Sequence, residues 1–175
     1  MKVLVTIDMQ NDFITGALAN KNAEKIVPKI ADYVKKFDGV IIFTRDTHNT
    51  DYLETMEGKN LPIMHCLKNT SGWQIHSDLI KACEGKESSA FVFDKPTFGY
   101  AYSLSKFISE FREPITEIIL CGTVTSICVI SNTLGLKEYF PDTKISVVSD
   151  LCADLTEEKH NADIEVMKSC QVNII

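Results

Sequence analysis

Residues 118–131 read IILCGTVTSICVIS, and this stretch decides the fold. Ile118 to Cys121 is a short, β-branched apolar run, the pattern of a buried strand. Gly122 to Thr125 form a small-residue turn, and a helical pattern opens near Ser126. A buried strand running straight into a helix is half of a βαβ unit, so a parallel sheet is expected. Cys128 then stands at a helix N-terminus above the C-terminal edge of that sheet. Unpaired N–H groups and the helix dipole favour a thiolate there. Open α/β sheets also take their ligands at that edge. A buried structural cysteine fits the same position, and position alone leaves both readings open.

Outward from this stretch, short apolar runs alternate with helical patterns. Strands are expected at Val3–Ile7, Val40–Phe43, Ala90–Phe93, Ile118–Cys121, Ile145–Val148 and Val172–Ile175. Helices are expected at 23–37, 75–83, 104–111, from 126 onward, and at 156–170. Residues 45–72 are polar and poorly periodic, a loop with at most short helical pieces. Compact domains rarely keep such a loop without a functional reason. The alternation predicts one domain over residues 1–175, a three-layer α/β/α arrangement whose mostly parallel sheet has about six strands.

Composition narrows the function. The chain has 175 residues, 45% of them apolar and 24% charged, as in an ordinary soluble domain. A formal charge of −6 without a basic stripe argues against nucleic acid or an anionic membrane as partner. No apolar segment approaches the ~20 residues that span a bilayer. The N-terminal apolar run meets Asp8 too soon for a secretory signal. Six scattered cysteines without a C-x-x-C pair suggest free thiols in a reducing cytoplasm.

Strand ends gather the candidate chemistry. Asp8 ends the first strand (IDMQNDF), Asp46 and His48 follow the second (FTRDTH), Lys95 follows the third (FVFDKPTFGY), and Cys128 follows the fourth. A parallel sheet brings all these ends to one edge. A carboxylate, an ammonium and a thiol form a workable acyl-transfer set: Lys95 stabilises a thiolate while Asp8 moves a proton. An Asp–Lys ion pair at the sheet rim beside an inert cysteine fits the same residues. The long loop adds Asp46, His48, Glu57 and His65, a donor set suited to zinc, with iron or manganese as alternatives. Ordinary loop polarity is the competing explanation, since no tight motif such as H-E-x-x-H is present. His76 begins the next helix, and His160 is expected on the solvent face of the last one.

Four blocks, IDMQNDF, DKPTFGYAYS, CGTVTSICVISNTLG and VVSDLCAD, stand in the order in which they occur in the isochorismatase-like cysteine hydrolases. The chain resembles that family over nearly its whole length, and within it most resembles the nicotinamidases. The resemblance implies catalytic roles for Asp8, Lys95 and Cys128. It also implies a cis peptide between Thr123 and Val124 that aims the Val124 N–H, with that of Cys128, into an oxyanion hole. It implies a metal held by Asp46, His48 and His65, with Glu57 where an acidic ligand falls.

Two departures concern the substrate. The approach to the second histidine, Pro62-Ile63-Met64-His65-Cys66, is one residue longer than in the family, and its usual tryptophan is Leu61. Phe13 and Phe98 remain to flank a flat substrate. The expected activity is hydrolysis of a small carboxamide through a thioester, with nicotinamide as first candidate. Another amide or ureido compound, a vinyl ether, or a non-catalytic scaffold are the alternatives. Family members that cleave vinyl ethers lack a cysteine at this position. A homo-oligomer is also expected, from family habit and from the apolar stripe Ile130, Leu134 and Leu136.

Overall fold

The computed structural model describes residues 1–175. Its first half contains β1 (Lys2–Ile7), α1 (Asn11–Ile14), α2 (Lys21–Lys36), β2 (Val40–Asp46), α3 (Met56–Asn60), α4 (Ser77–Lys81) and β3 (Ala90–Lys95). Then follow α5 (Ala101–Ser109), β4 (Glu117–Thr123), a π-type turn (Thr125–Val129) leading directly into α6 (Ile130–Tyr139), β5 (Lys144–Ala153), α7 (Glu157–Ser169) and β6 (Asn173–Ile174). All pairings are parallel, in the order β3-β2-β1-β4-β5-β6. The six expected strands and the single layered domain are therefore present.

The central strands show why the apolar runs are continuous. Every residue of β4 and all but the first of β1 are buried, because helices cover both faces of the sheet. Helices α2 and α4 pack together, and α5, α6 and α7 form a second contiguous layer. Strand β3, at the edge, alternates in exposure instead. Between β1 and β4 the strand order reverses, and the chain turns away from the sheet on opposite sides. That reversal opens the crevice in which such sheets bind ligands. Gly122 makes the close approach possible: its φ is +123°, and a Cβ there would lie 2.1 Å from the Ile7 carbonyl oxygen.

Several boundaries differ from the expectation. Strand β2 runs on to Asp46 and β3 to Lys95, because Arg45 pairs with Asp94 and Asp46 with Lys95 across the ladder. Polar residues thus continue a strand that hydropathy ends at Phe43. The helix expected over 75–83 contracts to Ser77–Lys81: Ile75 bridges to Gln10, and His76 caps the helix through the Asp78 N–H at 3.3 Å. The long loop holds two short helical pieces, Tyr52–Glu54 and α3. In the α6 stripe Leu136 is fully buried, while Ile130 and Leu134 are partly buried and pack against the main cluster. No helix is long and apolar enough to cross a membrane.

Candidate active site

Asp8 leaves β1 with φ +49°, a left-handed conformation that Asp tolerates better than most residues. Thr44 of β2 holds it there. The Asp8 N–H donates to Thr44 Oγ1 at 3.1 Å, and the Thr44 hydroxyl donates back to Asp8 Oδ1 at 2.6 Å. The second carboxylate oxygen lies 2.7 Å from Lys95 Nζ. Lys95 is 1% exposed and also donates to the Thr97 carbonyl at 3.0 Å. Its ammonium stands 3.7 Å from Cys128 Sγ and 3.7 Å from Asp46 Oδ1. Four strand ends thus meet at one ammonium.

Electrostatics follow from this crowding. Burial pulls the Lys95 ammonium toward neutrality, but Asp8, the Cys128 sulfur and Asp46 outweigh it and hold the group charged. Burial lifts the Asp8 carboxyl above its usual range even though Lys95 opposes the shift. Burial and the Asp8 charge push the Cys128 thiol well up, with Lys95 only partly offsetting them. Burial therefore works against the thiolate expected at the helix start. Desolvation at a 6% exposed side chain exceeds what the helix start and Lys95 supply.

Beyond Cys128, the Thr123–Val124 peptide is cis. The Val124 carbonyl accepts from Ile127 and Val129, both at 3.1 Å, while its N–H meets no backbone acceptor. Asn132 ties this helix to the loop after β3, donating to the carbonyls of Cys128 at 2.7 Å and Phe98 at 2.9 Å.

The loop donors converge as well. Ligand atoms of Asp46, His48, Glu57 and His65 all lie within 4.8 Å of one another. His48 Nε2 is 2.9 Å from Asp46 Oδ2 and 3.4 Å from Glu57 Oε1, and His65 Nε2 is 3.6 Å and 3.8 Å from the same two oxygens. Buried Glu57 Oε1 and Asp46 Oδ1 accept no hydrogen bond. His65 Nδ1 faces the Ile63 carbonyl at 2.8 Å, which turns its Nε2 toward the group. Two nitrogens and two carboxylates, three of the four residues buried and two oxygens without a hydrogen bond, fit a divalent metal. Burial alone would raise the Asp46 carboxyl, but His48, His65 and Lys95 hold it below the usual range, so it is an anionic donor. Asp46 links the two clusters, with one oxygen toward Lys95 and the other toward the histidines.

Phe13 reaches this group, its ring centroid 5.6 Å from that of His65. Phe98 is 44% exposed on the loop tied down by Asn132. Tyr52, whose hydroxyl donates to the Leu61 carbonyl at 3.0 Å, packs 4.6 Å from His48 and 5.0 Å from His65 between ring centroids. The largest cleft, about 920 Å³, lies elsewhere, between α2 and β5 around Tyr33 and Ile119, and contains none of these residues.

Residue patterns alone miss Thr44, Gln10 and Asp12. Gln10 clasps the backbone of Asp46 from both sides, accepting from its N–H at 2.7 Å and donating to its carbonyl at 2.9 Å. Asp12 accepts from the Cys66 N–H at 2.7 Å and so anchors the chain just after His65. Gln10 and Asp12 stand in the IDMQNDF block, and Thr44 is a polar residue inside a buried strand. Those were the available signals. His160, expected in solvent, is half-buried and faces the Thr125 hydroxyl at 3.0 Å and the Ser149 hydroxyl at 3.1 Å.

Comparison with known proteins agrees with this architecture. A nicotinamidase of Saccharomyces cerevisiae is 23% identical over 100% of this chain and 99% of its own length. The crystal structure of a pyrazinamidase/nicotinamidase from Streptococcus mutans UA159 superimposes with a TM-score of 0.86 at 28% identity, over 100% of both chains. A pyrazinamidase of Pyrococcus horikoshii, solved in complex with zinc, superimposes at 0.82 with 25% identity, over 99% of this chain and 98% of that one. The model of the isochorismatase domain matches residues 2–175, so this chain belongs to the isochorismatase family.

Proposed function

We propose that the protein is a cysteine amidohydrolase that converts a small aromatic carboxamide, nicotinamide first among them, to its acid and ammonia. The observation that carries this reading is the shared edge. The Asp8–Lys95–Cys128 cluster and the Asp46–His48–Glu57–His65 group meet at Asp46. The nicotinamidase and pyrazinamidase relatives supply the substrate class.

In the proposed cycle the Cys128 thiol passes its proton to Asp8 as Sγ attacks the carboxamide carbon. Lys95 stabilises the sulfur charge as it forms. The N–H groups of Val124 and Cys128 donate to the developing oxyanion. Asp8 returns the proton to the departing nitrogen, ammonia leaves, and a thioester remains. Asp8 then deprotonates the attacking water, and collapse of the second tetrahedral adduct releases the carboxylate and restores the thiol. A divalent metal on Asp46, His48, Glu57 and His65 would supply a Lewis-acidic anchor for a ring nitrogen. Phe13 and Tyr52 pack beside the histidines of that group and give a flat ring an apolar surround.

Ammonia release from nicotinamide, pyrazinamide, benzamide and aliphatic amides tests the reading, with elemental analysis of the same preparation. Metal near one equivalent and a preference for ring-nitrogen amides support it. Release from aliphatic amides alone moves the substrate elsewhere, and no release from any amide overturns it.

A further inference from the structure

We propose that Asp154 is a positioning residue for the turn that carries the nucleophile, a role that rests on the covalent reading above. Asp154 follows β5 and is 2% exposed. Its Oδ2 accepts from the Ser126 N–H at 2.6 Å, and its Oδ1 from the Leu155 N–H at 2.7 Å. Both oxygens are thus held by backbone N–H groups rather than by a cation. Burying a carboxylate is costly unless it is hydrogen-bonded, and these two N–H groups supply the bonds. Its own carbonyl is fixed in turn, accepting from the side-chain amides of Asn22 at 3.1 Å and Asn20 at 3.3 Å.

The hold on the turn does not stop at Ser126. Thr123 Oγ1 donates to the Ala153 carbonyl at 3.4 Å, and Thr125 Oγ1 meets His160 Nδ1 at 3.0 Å. Thr123, Thr125 and Ser126 are therefore gripped from the β5–α7 side, while the intervening Val124 N–H is left without a backbone acceptor. A helix start exposes several unpaired N–H groups. Satisfying the one at Ser126 with a rigid, buried acceptor fixes where its neighbours point. The sign of the charge separates this role from thiol activation. An anion disfavours rather than favours a thiolate near it, so a role for Asp154 in lowering the thiol pKa has the wrong sign. What it supplies is geometry at the oxyanion turn.

Two reactions of Cys128 separate geometry from reactivity. Acetylation by p-nitrophenyl acetate builds a tetrahedral oxyanion at a carbonyl, whereas iodoacetamide alkylates by displacement at saturated carbon. Acetylation is read as the p-nitrophenolate release that Cys128→Ala abolishes, since the thioester itself is hydrolysed, and alkylation at the Cys128 peptide of the full chain by mass spectrometry. In Asp154→Ala, acetylation is expected to slow about tenfold to a hundredfold, below the loss for deleting an oxyanion donor outright. Alkylation should stay near the native rate. Thr125→Val, nearly isosteric, should shift the same ratio by a smaller factor, and it carries the test if Asp154→Ala does not fold. Parallel loss of both rates, or a fall in Tm with neither rate changed, makes Asp154 merely structural and overturns the proposal. The probe needs no amide substrate. Native protein that is acetylated at Cys128 yet releases no ammonia defeats the proposed function and leaves this inference standing. Native protein that resists acetylation defeats both.

Discussion

The two ends of the sheet carry similar residues to opposite effect. At the N-terminal edge, Lys2, Glu117 and Lys144 sit side by side in one row of the β1–β4–β5 ladder. Glu117 there accepts from the Ser146 hydroxyl at 2.6 Å and pairs with Lys144 at 3.0 Å and Lys2 at 3.3 Å. Both lysines remain about half exposed, at 54% and 55% of their side chains. At the C-terminal edge, Asp46 and Lys95 also share a ladder row, but both are buried and Asp46 Oδ1 accepts no hydrogen bond. One edge is satisfied and wet; the other is dry and holds unmet acceptors. Dry, unmet charge is costly unless something else completes it, which marks the second edge as the one organised for ligands.

The sharpest break of this contrast removes the nucleophile. Cys128→Ala should abolish turnover, by roughly five to six orders of magnitude if the covalent unit behaves as others do. The fold should persist, since alanine relieves rather than adds buried polarity, and circular dichroism and Tm would show this. Cys170, the one exposed cysteine, should be alkylated before Cys128 by bulky reagents. Turnover surviving in Cys128→Ala would remove the sulfur from the mechanism.

Next in size is the loop cluster. His48→Ala or His65→Ala deletes a nitrogen donor and should strip the metal from purified protein, as read by elemental analysis. Turnover of nicotinamide should fall by about two orders of magnitude or more, because positioning contributes several kcal/mol to such reactions. Hydrolysis of an aliphatic amide, having no ring nitrogen to anchor, should change far less. Equal losses on both substrates would detach the loop cluster from substrate orientation.

How much of this was legible in the residues divides along the same line. The layered parallel sheet was readable because β1 and β4 are apolar on both faces, a pattern that helices on one side alone would not produce. The convergence of Asp8, Lys95 and Cys128 followed from strand polarity. Strand ends were not readable, since Arg45–Asp94 and Asp46–Lys95 continue the ladder with charges that hydropathy takes for loop. The upward push on the Cys128 thiol was hidden too, because desolvation depends on packing around Cys128 rather than on its neighbours in sequence. Asp154 and His160 were opaque for a related reason: their partners Ser126 and Thr125 lie on another element.

Thr44 probes the dry edge more gently. Thr44→Val keeps the shape and deletes the hydroxyl that donates to Asp8 Oδ1. A hydrogen bond to a charged group contributes about 1.5–3 kcal/mol, so kcat should fall about tenfold to a hundredfold. That bond favours the ionised carboxyl, so losing it moves the already raised Asp8 pKa further up. The acid limb of the pH–rate profile should therefore shift to higher pH. A slower variant with an unmoved acid limb would mean that Thr44 acts on position alone.

The smallest effect belongs to the satisfied edge, and it tests whether the contrast is one of function against stability. Burial acts to raise the Glu117 carboxyl, but the Ser146 hydroxyl, Lys144 and Lys2 outweigh it, and the net shift is downward. A folded pKa below the unfolded value stabilises the protein above the ordinary carboxylate range, and that stabilisation is lost as pH falls through the folded value. Glu117→Gln should therefore lower Tm at neutral pH, and the gap from the native protein should close in acid. Half-exposed lysines limit the size to about 1 kcal/mol, or roughly 2–4 °C in a domain of this length. Glu117 and Thr123 lie at opposite ends of β4, about 20 Å apart at the usual strand rise. Turnover at neutral pH should consequently match the native rate. A gap in Tm that persists unchanged into acid would show that Glu117 works by shape rather than charge. A loss of turnover would show that the two edges are coupled through the strands between them.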